Sequence, residues 1–172
     1  DFAPADALPA IDVSNPRVIR TRTFSKAYGM AGARVGYAIA EAGLIKSFDK
    51  IRDHFGVNKL AQAGALAALA DQPYLRSVVS QVEAARAEIG RIAAANGLLP
   101  LPSATNFVAV DCRRDGAYAR AVLKGLIEGG VFARMPGVAP LDRCIRISAG
   151  RPQDLAVLAE VLPKALKSAA AG

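Results

Sequence analysis

Residues 20–37 read RTRTFSKAYGMAGARVGY, and they hold the densest set of reactive and anion-binding side chains in the sequence. Lys26 follows a hydroxyl residue, Ser25. The small residues Ala27, Gly29, Ala31, Gly32 and Ala33 come next, and Arg34 stands eight positions after the lysine. Small residues let a backbone approach a ligand closely, and hydroxyls with an arginine suit an anionic group. An amine among them is placed to lose its proton and attack a carbonyl, because desolvation and nearby cations favour the neutral form. The competing reading is a solvated lysine at a strand end, followed by a glycine-rich turn.

A second constellation lies far downstream. Arg146 alternates with Ile145 and Ile147 and so points away from the face those two occupy. Arg134 ends the preceding extended segment; if the two segments pair antiparallel, both guanidiniums converge. Arginine forks bind carboxylate or phosphate bidentately, and two of them suit a doubly charged group. The alternative is two exposed arginines on an edge strand. Asn106 opens the strand N-F-V-A-V and Asn58 stands before an Ala-rich helix; by position each is read as a cap.

These side chains need elements to carry them. Residues 1–16 read as loop because of Pro4, Pro9 and Pro16. Alternation over 18–24 predicts a strand with Arg20 and Arg22 on one face, and the near-continuous apolar run 34–40 predicts a buried strand. Helical spacing covers 43–52. It resumes over 59–70, with Leu60, Ala63, Gly64, Ala67 and Ala68 as the expected packing face. Asp71-Gln72-Pro73 starts a long amphipathic helix and Asn96-Gly97 stops it, with Val78, Val82, Ala85, Ile89 and Ile92 on its apolar face. Then come a strand (106–110), a helix (117–128) ended by Gly129-Gly130, strands over 131–134 and 144–148, and a last helix from Pro152. Two helices on one side of a small sheet make an α+β lobe.

Composition narrows the classes. The chain has 172 residues, 52% of them hydrophobic, enough for one sizeable core or two small ones. No apolar run reaches the length of a membrane span, and DFAPADALPA lacks the features of a secretory signal. A net charge of +7 raises nucleic acid as a partner. However, the 22 Lys and Arg are scattered and only four Tyr and six Phe accompany them, so cationic pockets for small anions are expected instead. Cys112 and Cys144 are read as buried reduced thiols of a cytoplasmic protein, and His54 has no second ligand at metal spacing, so no metal is expected.

The segment T-F-S-K-A-Y-G-M-A-G-A-R-V-G-Y resembles the cofactor-lysine signature of fold-type I pyridoxal-phosphate (PLP) aminotransferases, within them the histidinol-phosphate aminotransferase group. The resemblance implies that Lys26 carries PLP as a Schiff base, that Ser25 and Arg34 hold its phosphate, and that Thr23 lies beside it. G-V-F-A-R-M-P-G and C-I-R-I-S-A-G resemble that group's substrate-anion segments, which implies substrate contacts from Arg134 and Arg146, and from Asn106. Arg151 departs from the Thr or Glu usual there. Asp1-Phe2 is similar to the tail of the motif D-E-A-Y-x-[DE]-F, whose Asp and Tyr contact the cofactor ring in relatives.

The implied fold is α/β: the C-terminal part of a fold-type I PLP-binding large domain (1–72), a linking helix (73–97) and a small α+β domain (98–172). The implied reaction transfers an amine from histidinol phosphate to 2-oxoglutarate, in a cytoplasmic homodimer acting on a small-molecule amino donor and a 2-oxo acid. Aromatic-amino-acid aminotransferases and threonine-phosphate decarboxylases share these motifs. A ligand-sensing domain of a transcription regulator is the reading from another class. The chain by itself is expected to be inactive, as the C-terminal half of such an enzyme.

Overall fold

The computed structural model describes residues 1–4 and 6–171. The chain forms two compact units: Asp1 with Ala3–Val79, and Phe2 with Ser80–Gly172.

In the first unit, β1 (Arg20–Thr23) pairs antiparallel with β2 (Gly36–Ile39), Thr23 opposite Gly36. Gly36 is required here, because a Cβ on it would lie 2.7 Å from the Arg22 carbonyl oxygen. Arg20 and Arg22 share a face, as the alternation predicts. Arg20 donates to the Pro9 carbonyl at 2.7 Å, and Arg22 meets the Asp1 carboxylate at 3.4 Å. The apolar strand expected to be buried is not. Only Ile39 of β2 is half-buried and the rest is exposed, since this pair has no third strand and no helix covering it among the described residues.

Helix α1 is shorter than the spacing suggests, Ala42–Ser47 followed by a 3-10 turn over Phe48–Lys50. It is capped by Glu41, whose carboxylate accepts from the amides of Gly43 and Leu44, each at 2.8 Å. Those two bonds hold the Glu41 carboxyl below its ordinary pKa. Helix α2 (Lys59–Ala70) is capped by Asn58, whose side chain accepts from the Ala61 amide at 2.8 Å. This is the cap reading of Asn58. The buried face of α2 is Ala61 and Ala65, with Gly64 close to the Met30 methyl, while Leu60 points to solvent. The packing face is therefore rotated by about one residue from the one expected.

Helix α3 (Gln72–Ala95) ends where the Asn-Gly signal puts it. Gly97 adopts φ +75° and the Leu98 amide donates back to Ala93. Its inward residues Ala85, Ile89, Ile92 and Ala93 join the core of the second unit. The sheet there is antiparallel, in the order β3 (Leu99–Pro100), β4 (Phe107–Asp111), β5 (Cys144–Ser148). The two-residue β3 is missed by pattern because Pro100 leaves no alternation to read.

Residues 131–134 are a further correction. They form no strand, only a single antiparallel bridge between Arg134 and Arg146. The segment leaves the Gly129-Gly130 turn (Gly130 φ +81°) with the Val131 amide bonded back to Leu126, and only Arg134 reaches β5.

Helices α4 (Gly116–Glu128) and α5 (Pro152–Ala171) cover one sheet face. Val122 and Leu126 of α4 and Leu155, Leu158 and Leu162 of α5 pack against Val108, Val110, Ile145 and Ile147. Helix α4 approaches α5 at Gly125, where a Cβ would come within 2.9 Å of the Ala165 Cβ and 3.0 Å of its Cα. Gly125→Val is expected to destabilise by about 1–3 kcal/mol through overpacking. The check is a lower denaturant midpoint at unchanged slope; an unchanged midpoint would mean the two helices can separate without cost.

Both cysteines are buried and free. Burial, with Cys144 and Asp111 nearby, pushes the Cys112 thiol up to about 11, so it is protonated at neutral pH. The buried Asp111 carboxylate is satisfied by Arg143 at 2.8 Å and by the Arg113 amide at 2.7 Å, a structural role.

Candidate active site

The candidate residues fall into two groups, one in each unit. Thr23, Ser25, Lys26 and Arg34 lie in the first unit, and Asn106, Arg134 and Arg146 in the second.

The first group rides on the loop between β1 and β2. Phe24 and Ala27 are buried and pin the loop on either side of the lysine, and the Phe24 ring packs on Tyr28 (4.9 Å) and Tyr37 (5.7 Å). The loop backbone closes on itself. The Phe24 amide donates to Val35, Met30 donates to Phe24, and Gly29 donates to Lys26 at 2.9 Å. Gly29 has φ +70°, a conformation glycine adopts without a steric penalty.

Two buried neighbours thus hold up Ser25 and Lys26. Ser25 is half-buried and Lys26 is exposed, and no carboxylate pairs with Lys26 among the described residues. Thr23 is engaged locally, its Oγ1 accepting from the Ser25 amide at 3.1 Å. Among the described residues nothing covers the Lys26 side chain, so the burial expected around it is not found there.

Arg34 stands at the exit of a 3-10 turn over Ala31–Ala33 with φ 52° and ψ 50°. A non-glycine residue held in the left-handed region costs of order 1 kcal/mol or more, and such strain clusters at functional positions. Its guanidinium donates to the Ala31 carbonyl at 2.8 Å, which fixes the side chain over its own turn and leaves the remaining N–H donors for a ligand.

In the second group, Arg134 and Arg146 exchange both backbone hydrogen bonds. The Arg134 amide donates to Arg146 at 3.2 Å and the Arg146 amide returns the bond at 2.6 Å. A pair of this kind puts both side chains on one face as direct cross-strand neighbours, and like charges so placed repel. No carboxylate pairs with either guanidinium among the described residues. The sheet face they share is the one turned from the core, since Ile145 and Ile147 are buried and Arg146 is half-buried.

Asn106 lies one residue before β4. Its carbonyl accepts from the Ala149 amide at 2.9 Å and its side-chain amide makes no hydrogen bond among the described residues, so its side chain caps nothing. Arg151 is taken up by Asp154 (3.1 and 3.3 Å) at the start of α5. Two residues the sequence reading passed over stand beside the arginine pair: Phe107, whose ring centre lies 4.9 Å from the Arg146 guanidinium carbon, and Phe132, 5.6 Å from that of Arg134. The signal was available as an aromatic two residues before Arg134 and an aromatic opening β4.

The family model for aminotransferases of class I and II matches residues 1–162. Histidinol-phosphate aminotransferase 2 of Ralstonia nicotianae is 41% identical over 156 residues, which is 91% of this chain and 42% of that protein. The histidinol-phosphate aminotransferase of Bacillus subtilis is 39% identical over 145 residues, 82% of this chain and 39% of that one. Among solved structures, the histidinol-phosphate aminotransferase of Sinorhizobium meliloti in complex with pyridoxal-5'-phosphate superposes with a TM-score of 0.93 at 55% identity. It covers 97% of this chain and 46% of its own. The chain thus spans about two fifths of the length of these curated relatives and under half of that solved chain. The expected α/β fold of a fold-type I transferase is borne out, and the chain belongs to the class I and II aminotransferase family.

Proposed function

We propose that this chain supplies the lysine-bearing and substrate-anion parts of a PLP-dependent aminotransferase that exchanges amine for carbonyl between histidinol phosphate and 2-oxoglutarate, in histidine biosynthesis. The donor set on the β1–β2 loop fits the cofactor: an amine for its aldehyde at Lys26, and a hydroxyl with a guanidinium for its phosphate at Ser25 and Arg34, with Thr23 beside them. Bound there, PLP supplies the electron sink that makes the substrate α-proton acidic. Lys26 Nζ then takes and returns that proton. Arg34 and Ser25 hold the phosphate through charge-assisted hydrogen bonds, and Arg134 and Arg146 orient the substrate through its anionic groups, with the free Asn106 amide as a further donor. We place the intact enzyme in the cytoplasm as a homodimer.

The observation that carries the substrate reading is the arginine pair. Two arginines joined by a reciprocal backbone bridge, with no carboxylate paired to either among the described residues, match a doubly charged phosphate better than one carboxylate. The test is a hybrid in which this chain replaces the matching part of the Sinorhizobium meliloti protein. Arg134→Ala should cost on the order of 1.5–3 kcal/mol, roughly tenfold to a hundredfold in kcat/KM with histidinol phosphate. The loss with an unphosphorylated aromatic amino acid should be smaller. Equal losses would remove the phosphate role and favour an aromatic-amino-acid aminotransferase. Carbon dioxide release from threonine phosphate would favour the decarboxylase.

A further inference from the structure

We infer that Phe107 and Phe132 are positioning residues for the arginine pair: each holds a guanidinium on its ring face so that the N–H forks stay free for an anion. This rests on the reading of Arg134 and Arg146 as anion ligands. The register explains the placement. Arg146 pairs with Ala109 across the sheet, and Phe107, two residues along β4, lies on the same face and opposite Ser148. Ala109 is too small to support a guanidinium, so the Arg146 side chain reaches diagonally to the Phe107 ring at 4.9 Å, within the reach of diagonal neighbours. Phe132, two residues before Arg134 in its own segment and largely exposed, lies 5.6 Å from that guanidinium.

The choice of support has a chemical consequence. Arg22, Arg52, Arg91, Arg143 and Arg151 are each held by a carboxylate, which occupies N–H donors and cancels charge. A ring face holds a guanidinium through its quadrupole and uses none of the five donors. It therefore limits side-chain motion, leaves the charge intact and leaves the N–H donors unused. Arg114 also stacks on a ring, Tyr118 at 4.2 Å, but has no second arginine bridged to it. Two adjacent arginines, both on aromatic shelves and both without carboxylates, are what set this face apart. The support lowers the entropy lost when an anion binds, which is the usual source of gain from preorganisation.

The experiment is a titration of the 172-residue chain, labelled with nitrogen-15 arginine, with inorganic phosphate followed by NMR. Ring currents should move the Arg146 side-chain Nε–H proton upfield of that of Arg151, and phosphate should shift both arginines of the pair. Phe107→Leu keeps an apolar side chain without the ring; it should erase the upfield shift and weaken phosphate binding roughly threefold to tenfold. Phe107→Tyr should restore both, and Phe132→Leu should weaken binding by about twofold. Unchanged β4 and β5 backbone amides in each variant show that the sheet is intact. Phosphate affinity equal to the parent's in Phe107→Leu, with Arg146→Lys still impaired, overturns the positioning role alone. If Arg146→Lys binds phosphate as the parent does, or the parent does not bind it, the anion-site reading falls and this inference falls with it.

Discussion

Replacing Lys26 by alanine is expected to abolish covalent capture of PLP and to lower transamination by at least about a thousandfold in the hybrid enzyme. Positioned proton transfer alone contributes roughly 10²–10⁴-fold, and the same amine is proposed to attach the cofactor. The geometry makes the effect specific to this position. Phe24 and Ala27 are buried to either side, so Lys26 is held out from the loop at a fixed point of the backbone. Arg34, strained into the left-handed region, ends that loop. Borohydride reduction of the PLP-loaded hybrid, followed by peptide mapping, should place the label on the peptide containing Lys26. Label on another lysine, or a Lys26→Ala hybrid that turns over normally, would sink the assignment. Backbone strain gives no reason for a folding defect at Lys26, so a soluble, folded and inactive variant is the expected form of the result.

The chain on its own should show two stabilities differing by several kcal/mol, and no transamination. The second unit buries Ile89, Leu126, Ile145, Leu158 and Leu162 almost completely, each worth about 1.5–3 kcal/mol of transfer free energy. In the first unit Phe24 is the one large side chain buried among the described residues, alongside Ala27, Ala61 and Ala65. Meanwhile Ile51 is 82% exposed and Phe55 and Leu60 are each 87% exposed. A unit with so little interior cannot offset the conformational entropy of ordering its backbone by the same margin.

Amide hydrogen exchange should therefore be slowest in α4, α5, β4 and β5. Amides of β1, β2 and α1 should exchange at least about a thousandfold faster, since each 1.4 kcal/mol is a factor of ten. Adding a polypeptide that completes the length of the relatives should slow exchange in β1 and β2 and bring turnover with it. Equal protection in both units, or full activity from the chain alone, would show that the first unit is self-sufficient.

Much of the fold was legible because local chemistry and tertiary structure agree there. The Asn96-Gly97 stop ends α3 because glycine takes φ +75° freely. The inward stripe of α3 through Ala85, Ile89 and Ile92 follows from helical period alone. The Ile145-Arg146-Ile147 alternation correctly turned Arg146 away from the core. Where the reading failed, the deciding contacts were not local. In an alanine-rich helix many faces look alike, so α2 buries Ala61 and Ala65 in place of the face through Leu60. An apolar run such as 34–40 reports that a strand can be buried, whereas burial needs a covering layer that no local pattern supplies.

The candidate site divides along the same line. By itself the sequence determined which side chains could do the chemistry: an amine beside a hydroxyl, a glycine turn and an arginine at fixed spacing, and two distant arginines in extended segments. Residue type and spacing suffice for that, because the reactivity belongs to the groups themselves. Tertiary structure alone decided how they are presented. The reciprocal Arg134–Arg146 bridge, the rings of Phe107 and Phe132 beneath the guanidiniums, and the exposure of Lys26 all depend on residues brought together from across the chain. Charge repulsion, ring stacking and desolvation act through space, so no reading along the chain could weigh them before the fold set the distances.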